Sequence, residues 1–402
     1  MSINIFIDNS FKAIYEYKTH AKITWTSKKK PLGERCFNMK KNKLNSLFLR
    51  ERFVKSLFLL LFIFPLLVTP ACKKMDHTKF KMPKMAFITA ENLHDTVARG
   101  ENEVWIIGDF GSVYYSCNNG VNWEKQNTGT EKHFFNASFL DNQNAWICGL
   151  QGIILHTSNG GKAWEEQKSN TPRHLFSICF TDEKNGWAVG DMGTIIATKD
   201  GGATWTPMKK EQDVGYNGVF FTDSLHGWVI GEFGTILYTS DGGKTWKPQL
   251  CKDIAPSEDE EATMIMPMPT LYSINFKDKK RGFITGIEGI LLVTEDGGMK
   301  WKKIPTHTKF SIFGITFQGE KGWAVGAEGN YLVTTDAGKT WKFIEDAIKM
   351  KFWLQGVSFR NDKDGFAVGA RGTVVHTEDG GNTWKFLSGI SYEMPEFKMP
   401  EF

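Results

Sequence analysis

Gly186-Trp187-Ala188-Val189-Gly190-Asp191-Met192-Gly193-Thr194-Ile195-Ile196-Ala197-Thr198-Lys199-Asp200-Gly201-Gly202-Ala203-Thr204-Trp205 is the stretch on which the fold turns. It reads as two short strands of β-branched and aromatic residues, Trp187–Val189 and Thr194–Thr198, separated by Gly and Asp turns. Leu175–Phe180 supplies a strand before it, and Thr204-Trp205 opens one after it. One copy is thus four strands, a to d. The copy recurs with closing tryptophans at Trp123, Trp164, Trp205, Trp246, Trp301, Trp341 and Trp384, spaced 41, 41, 41, 55, 40 and 43 residues. The glycine after strand b keeps step: Gly108, Gly149, Gly190, Gly231, Gly286, Gly326 and Gly369. A four-stranded unit of about 40 residues cannot bury both faces alone, whereas stacking such units radially buries both. The expected fold is all-β, a seven-bladed β-propeller of four-stranded antiparallel blades over residues 90–390.

The turn before each tryptophan repeats as well. Asp200, Asp241, Asp296, Asp336 and Asp379 occupy one position, and Asn118 and Asn159 replace them in blades 1 and 2. Such a side chain accepts hydrogen bonds from its own turn, and the glycines after it tolerate positive φ. A catalytic residue is needed once, and this one occurs seven times, so it is structural. Burying each tryptophan between sheets is worth about 5 kcal/mol, at ~25 cal/mol per Å² over ~150–250 Å².

The 402 residues carry a net charge of +4 and are 41% hydrophobic and 23% charged, with 31 Phe and 14 Trp. That charge is too small to imply nucleic acid, and no basic block with interleaved aromatics appears among the repeats. Before the repeats, Lys40, Lys41, Lys43, Arg50, Arg52 and Lys55 precede an apolar run from Leu57 to Val68. Such a run is too short to span a bilayer of about 30 Å and fits a secretory signal. Pro70-Ala71-Cys72-Lys73-Lys74 resembles a bacterial lipoprotein cleavage site with Cys72 lipidated, though Thr69 and Pro70 depart from it. An ordinary cleaved signal or an uncleaved anchor are the alternatives. A start at Met39 gives a normal signal length, which makes 1–38 a leader or mis-assigned start, 39–71 the signal peptide, 72–89 a tether and 391–402 a C-terminal tail. An exported, membrane-anchored protein, periplasmic or on the outer surface, is expected. Cys36, Cys72, Cys117, Cys148, Cys179 and Cys251 form no CxxC pair, so no metal site is expected. Cys148 and Cys179 lie in neighbouring repeats, as buried hydrophobes or as a disulfide.

Ser240-Asp241-Gly242-Gly243-Lys244-Thr245-Trp246 is similar to the Asp-box of sialidases, xyloglucanases and sortilin-type receptors. The longer unit, Gly227-Trp228-Val229-Ile230-Gly231 through Gly234-Thr235-Ile236-Leu237 to that box, resembles the photosystem II stability/assembly factor family of seven-bladed propellers over about residues 90–390. The resemblance implies a non-enzymatic, monomeric scaffold without cofactor, binding a membrane or envelope protein. Members of that family carry arginine-rich docking patches. Here only Arg99, Arg173, Arg281, Arg360 and Arg371 fall in the propeller, and an acidic, Met-Pro-rich insertion separates blades 4 and 5.

Function is expected where the repeats stop agreeing. The b–c turns and d–a connections share one face of a propeller. There the b–c turns place Asp109, Asp191, Glu232, Glu288, Glu328 and Arg371, and the d–a connections place Lys132, His133, Arg173, His174 and Trp353. A mixed-charge face with exposed aromatics suits protein recognition; solvated loop charges are the alternative. His133 and His174 lack an evident third metal ligand, and His156 and His376 are expected to pack turns. The rival function is a glycoside hydrolase or carbohydrate-binding propeller, because the acidic turns supply the two carboxyls glycosidases use. A sialidase also needs three convergent arginines. Arg99, Arg281 and Arg360 fall in a–b turns on the opposite face, leaving Arg173 and Arg371, one too few.

Overall fold

The computed structural model describes residues 88–208, 210–255, 268–345 and 347–389. Cys72, the signal segment, most of the tether, the acidic stretch of the insertion and the C-terminal tail lie outside the described residues. No helix among the described residues is long and apolar enough to cross a membrane.

Seven four-stranded antiparallel sheets follow one another, each built from four consecutive strands. Blade 3 is typical: a is Leu175–Phe180, b Gly186–Gly190, c Ile195–Thr198 and d Thr206–Pro207. Strand d begins one residue after the tryptophan rather than at Thr204, because the Asp-box turn still holds Trp205.

The core is seven cores. Each cluster of buried side chains spans two neighbouring blades: Trp187 and Val189 of blade 3 pack with Tyr216, Val219 and Phe221 of blade 4, for example. Among the described residues no strand is exchanged between the last blade and the first. Leu93, Val104 and Ile106 of blade 1 instead pack with Phe366, Val368 and Val374 of blade 7. Hydrogen bonds add to that closure: Ile88 N–H to Ser388 Oγ at 3.0 Å, Ala98 N–H to Ser358 Oγ at 2.9 Å, and Arg360 Nη2 to Asn119 Oδ1 at 2.6 Å.

The Asp-box works as a two-residue clamp. Asp241 Oδ1 accepts from Thr245 N–H at 2.9 Å and from Thr239 Oγ1 at 2.8 Å, and Oδ2 accepts from Thr245 Oγ1 at 2.6 Å. Those bonds, the Thr245 hydroxyl foremost, pull the Asp241 carboxyl down to about 2. Thr239 Oγ1 in turn accepts from Gly243 N–H at 2.9 Å. Asn118 and Asn159 accept the equivalent bonds from Asn122 and Ala163 N–H. The closing tryptophans sit edge-on to rings between blades, as Trp205 does on Phe180 and Trp246 on Phe221. Trp205, Trp301 and Trp341 are buried, and Trp123, Trp164, Trp246 and Trp384 half-buried.

A second set of aromatics ties blade to blade. The strand-b indoles of Trp146, Trp187 and Trp323 donate to the carbonyls of Gly201, Gly242 and Gly380 in the next blade's Asp-box, at 3.1, 3.1 and 2.9 Å. The following glycine must lack a side chain: at Gly298, with φ +78°, a Cβ would stand 2.4 Å from Trp228 Nε1. His156 and His376 stack on Trp146 and Phe366, as packing residues. Cys148 and Cys179 are free thiols. Burial pushes the Cys148 thiol far up and Cys179 to about 11.

Candidate functional site

Strand a lines the central channel, and its second residue breaks the ladder in every blade. The register with strand b slips between Leu93 and Asp95, between Tyr216 and Gly218, between Leu271 and Ser273, and likewise elsewhere. A bulge of this kind re-aims a side chain that would otherwise alternate with its neighbours. The bulged residues are His94, Phe135, Phe176, Asn217, Tyr272, Phe313 and Gln355, all half-buried and all lining the channel. They form a ring at its mouth on the b–c face. Phe135 and Phe176 meet at 5.6 Å on one side, and Tyr272 and Phe313 at 5.0 Å roughly opposite. Asn217 separates the two pairs on one flank, Gln355 and His94 on the other. The channel cavity holds about 460 Å³, within the ~300–1,000 Å³ common for ligand pockets.

One layer deeper, polar side chains bridge blades. Asp95 Oδ2 accepts from Asn136 Nδ2 at 2.8 Å and Ala137 N–H at 3.1 Å, and Asn136 Oδ1 accepts from Ile178 N–H at 3.0 Å. Burial pushes the Asp95 carboxyl up to about 6 despite these bonds.

The charged residues expected on the b–c face are there, and most already have partners. Asp109 is buried; its Oδ1 accepts from His94 Nε2 and His133 Nδ1, both at 2.8 Å, and its Oδ2 from Asn92 Nδ2 at 3.1 Å. Burial acts to raise that carboxyl, but the two imidazoles together hold it below its ordinary value. His94 extends the array: Nδ1 meets the Gln355 amide at 3.1 Å, and its ring stacks on buried Trp353 at 5.8 Å. Arg173 forms a fork with Glu211 at 3.0 and 2.9 Å. Lys132 stands 4.0 Å from Glu166. Glu232 Oε2 accepts from Gly215 N–H at 2.7 Å. Arg371 lies 4.3 Å over the Phe352 ring. His133 and His174 do not converge, because His174 Nδ1 accepts instead from Gln151 N–H at 3.1 Å. Asp191 opens the b–c turn of blade 3, half-buried. Glu288 and Glu328 stand exposed at left-handed turn positions, φ +54°.

The bulge ring was not among the expected site residues. Its signal is an adjacent apolar pair at the head of strand a, Phe134-Phe135, Leu175-Phe176, Leu271-Tyr272 and Ile312-Phe313, which breaks two-residue alternation. Large side chains also protrude on this face, Phe110, Phe233 and Phe310 being exposed.

Fold and site together define a seven-bladed Asp-box propeller whose sevenfold positions are structural and whose variable positions gather at one channel mouth. The profile of the photosynthesis system II assembly factor YCF48 matches residues 65–158, 157–258 and 257–352, and the chain belongs to that family. Among solved structures it is similar to YCF48 bound to D1 peptide, at 19% identity and a TM-score of 0.58, over 73% of this chain and 95% of that one. YCF48 from Cyanidioschyzon merolae matches at 19% identity and TM-score 0.58, over 73% and 98%. A GH74 xyloglucanase from Xanthomonas campestris shares the fold at 12% identity and TM-score 0.61, over 76% of this chain and 55% of its own. No curated protein matches.

Proposed function

We propose that the chain is a non-enzymatic, monomeric scaffold that binds another protein and aids assembly or maturation of a membrane or envelope complex. A lipid anchor at Cys72 would hold it on the periplasmic or outer side of a membrane. Membership of the assembly-factor family supports this, as does a family structure with a peptide bound. The observation that carries most weight is the channel mouth: two aromatic pairs break the sevenfold symmetry beside a rim of exposed charges. Hydrolysis draws no comparable support. The Asp-box carboxylates are held within their turns, Asp109 is held by two imidazoles and Glu232 by a backbone N–H. The xyloglucanase likeness is one of fold.

Affinity purification from membranes tests the scaffold, comparing wild type with Tyr272→Ser/Phe313→Ser and with Glu288→Gln/Glu328→Gln. A specific protein recovered with wild type and lost with the mouth variant is expected. Equal recovery from all three moves the interface elsewhere. Cleavage of a fluorogenic glycoside, abolished by one carboxylate substitution, would replace the scaffold with an enzyme. Palmitate labelling abolished by Cys72→Ser tests the anchor.

A further inference from the structure

Asp95 is the one carboxylate among the residues lining the channel, and among the described residues no lysine or arginine lines it. Its hydrogen bonds all come from neutral donors: Thr96 N–H reaches Oδ1 at 2.8 Å, and Asn136 Nδ2 and Ala137 N–H reach Oδ2 at 2.8 and 3.1 Å. An ionised carboxylate offers about four acceptor sites, so these donors leave it short of full satisfaction. No ion pair to Asp95 is found among the described residues.

The groups packed around it do not supply the missing charge. His94, beside it on strand a, is committed elsewhere, through Nε2 to Asp109 Oδ1 at 2.8 Å and through Nδ1 to the Gln355 amide at 3.1 Å. Blade 2 brings the neutral Asn136 and, on its strand b, the Cys148 thiol, which burial and the Asp95 charge push far up. Blade 7 brings only backbone: a Cβ added at Gly356 would stand 2.8 Å from Asp95 Cα. Burial accordingly keeps the Asp95 carboxyl near 6, still ionised at neutral pH.

The way in is aromatic. Asp95 follows the bulged His94 by one residue, which sets it about 3.4 Å further along the strand than the ring at the mouth. That ring carries the Phe135–Phe176 and Tyr272–Phe313 pairs, and Phe135 directly precedes the Asn136 that holds Asp95. Aromatic rings attract a cation within about 6 Å of their centroids, so the mouth favours the same charge that the carboxylate below it lacks. A four-carbon stem such as that of lysine is long enough to pass the ring and deliver its charge one layer down.

We propose that the channel is a cation socket: a lysine or arginine side chain of the partner passes between the aromatic pairs and ion-pairs with Asp95. This rests on the partner-binding role proposed for the mouth and names the group that the mouth receives.

The test uses the full chain at pH 7.5 and two probes of the same shape, butylguanidinium and neutral butylurea, followed by saturation-transfer NMR. Butylguanidinium should bind saturably with Kd about 1 mM, and butylurea about tenfold more weakly. Asp95→Asn should weaken butylguanidinium about tenfold and erase the preference for charge. Gln355→Lys, which keeps Asp95 and plants a tethered ammonium at the mouth, should erase it as well. At pH 5, where Asp95 is mostly protonated, wild type should bind the cation about tenfold more weakly than at pH 7.5. Equal binding of the two probes, undiminished binding by Asp95→Asn, or affinity unchanged at pH 5 overturns the socket. So does a preference removed by Glu288→Gln/Glu328→Gln instead, which would place the cation on the rim.

Affinity purification from membranes then identifies the source of the cation. A partner lost with Asp95→Asn, and released from wild type by saturating butylguanidinium, is the expected result. A partner that stays bound while the probe fills the channel would mean that the socket takes a free small cation, and the proposal fails. A partner lost with Tyr272→Ser/Phe313→Ser but retained by Asp95→Asn would leave the scaffold standing and remove only the socket.

Discussion

Replacing Asp95 by asparagine should make stability less sensitive to pH. The carboxyl is packed into the channel wall between blades 1 and 2, where burial raises it from an ordinary 3.8 to about 6. Between those two values the folded chain holds a proton that the unfolded chain has released, so stability falls as pH rises from about 4 to about 6 and is flat above. Each tenfold change in proton affinity is worth about 1.4 kcal/mol, which makes the full effect about 3 kcal/mol. That is an upper value, because one side of the carboxyl opens to the channel and water. The substituted amide can keep its oxygen where Oδ2 accepts from both Asn136 Nδ2 and Ala137 N–H, but its own N–H₂ then faces Thr96 N–H in place of Oδ1, losing about 1 kcal/mol at every pH. Urea denaturation of both proteins from pH 4 to 7.5 measures the difference directly. The variant should be the weaker protein near pH 4 and equal or stronger above pH 6.5, the gap shifting by about 2–3 kcal/mol. Parallel curves, within about 0.5 kcal/mol across the range, would refute the assignment of a desolvated carboxylate.

Two further predictions concern the ring itself. Trp187→Phe removes the indole bond to Gly242 while keeping the stack on Phe221, and should lower stability by about 1–3 kcal/mol in urea. Trp228→Phe should cost less, because Trp228 Nε1 has no hydrogen-bond partner among the described residues; equal losses would deny the latch. Native alkylation with iodoacetamide should label Cys117, which is exposed, well before Cys148, Cys179 and Cys251, whose thiols burial pushes up. Rapid labelling of Cys148 in the folded protein would contradict the interblade packing around it.

What was legible in the sequence was whatever seven blades share. Asp241, Gly243 and Trp246 recur because each closes the same turn against the same neighbour, so a single copy could be checked against six others. The Thr239 hydroxyl recurs too, yet its role as acceptor for Gly243 N–H emerges only once strand c and the turn are placed together. The site was half legible. Locating it on the b–c face needed only propeller topology. Which charges stay exposed there depends on contacts across blades: the imidazoles that hold Asp109 come from its own strand a and from the next blade. Glu211, a distant position in sequence, engages Arg173. The bulge ring was hidden for another reason. An apolar pair such as Ile312-Phe313 reads as one buried and one displaced residue until the slip against strand b is known.

The central claim is that residues common to all blades build the ring and that binding happens at the mouth where they differ. In living cells, benzoylphenylalanine at Phe313 or Phe135 compares the mouth with Leu225 or Val121 on the opposite face. The account predicts one discrete adduct, of the same mass from both mouth positions and absent from the other two. Adducts of equal yield from Leu225 or Val121, or none from the mouth, would contradict it.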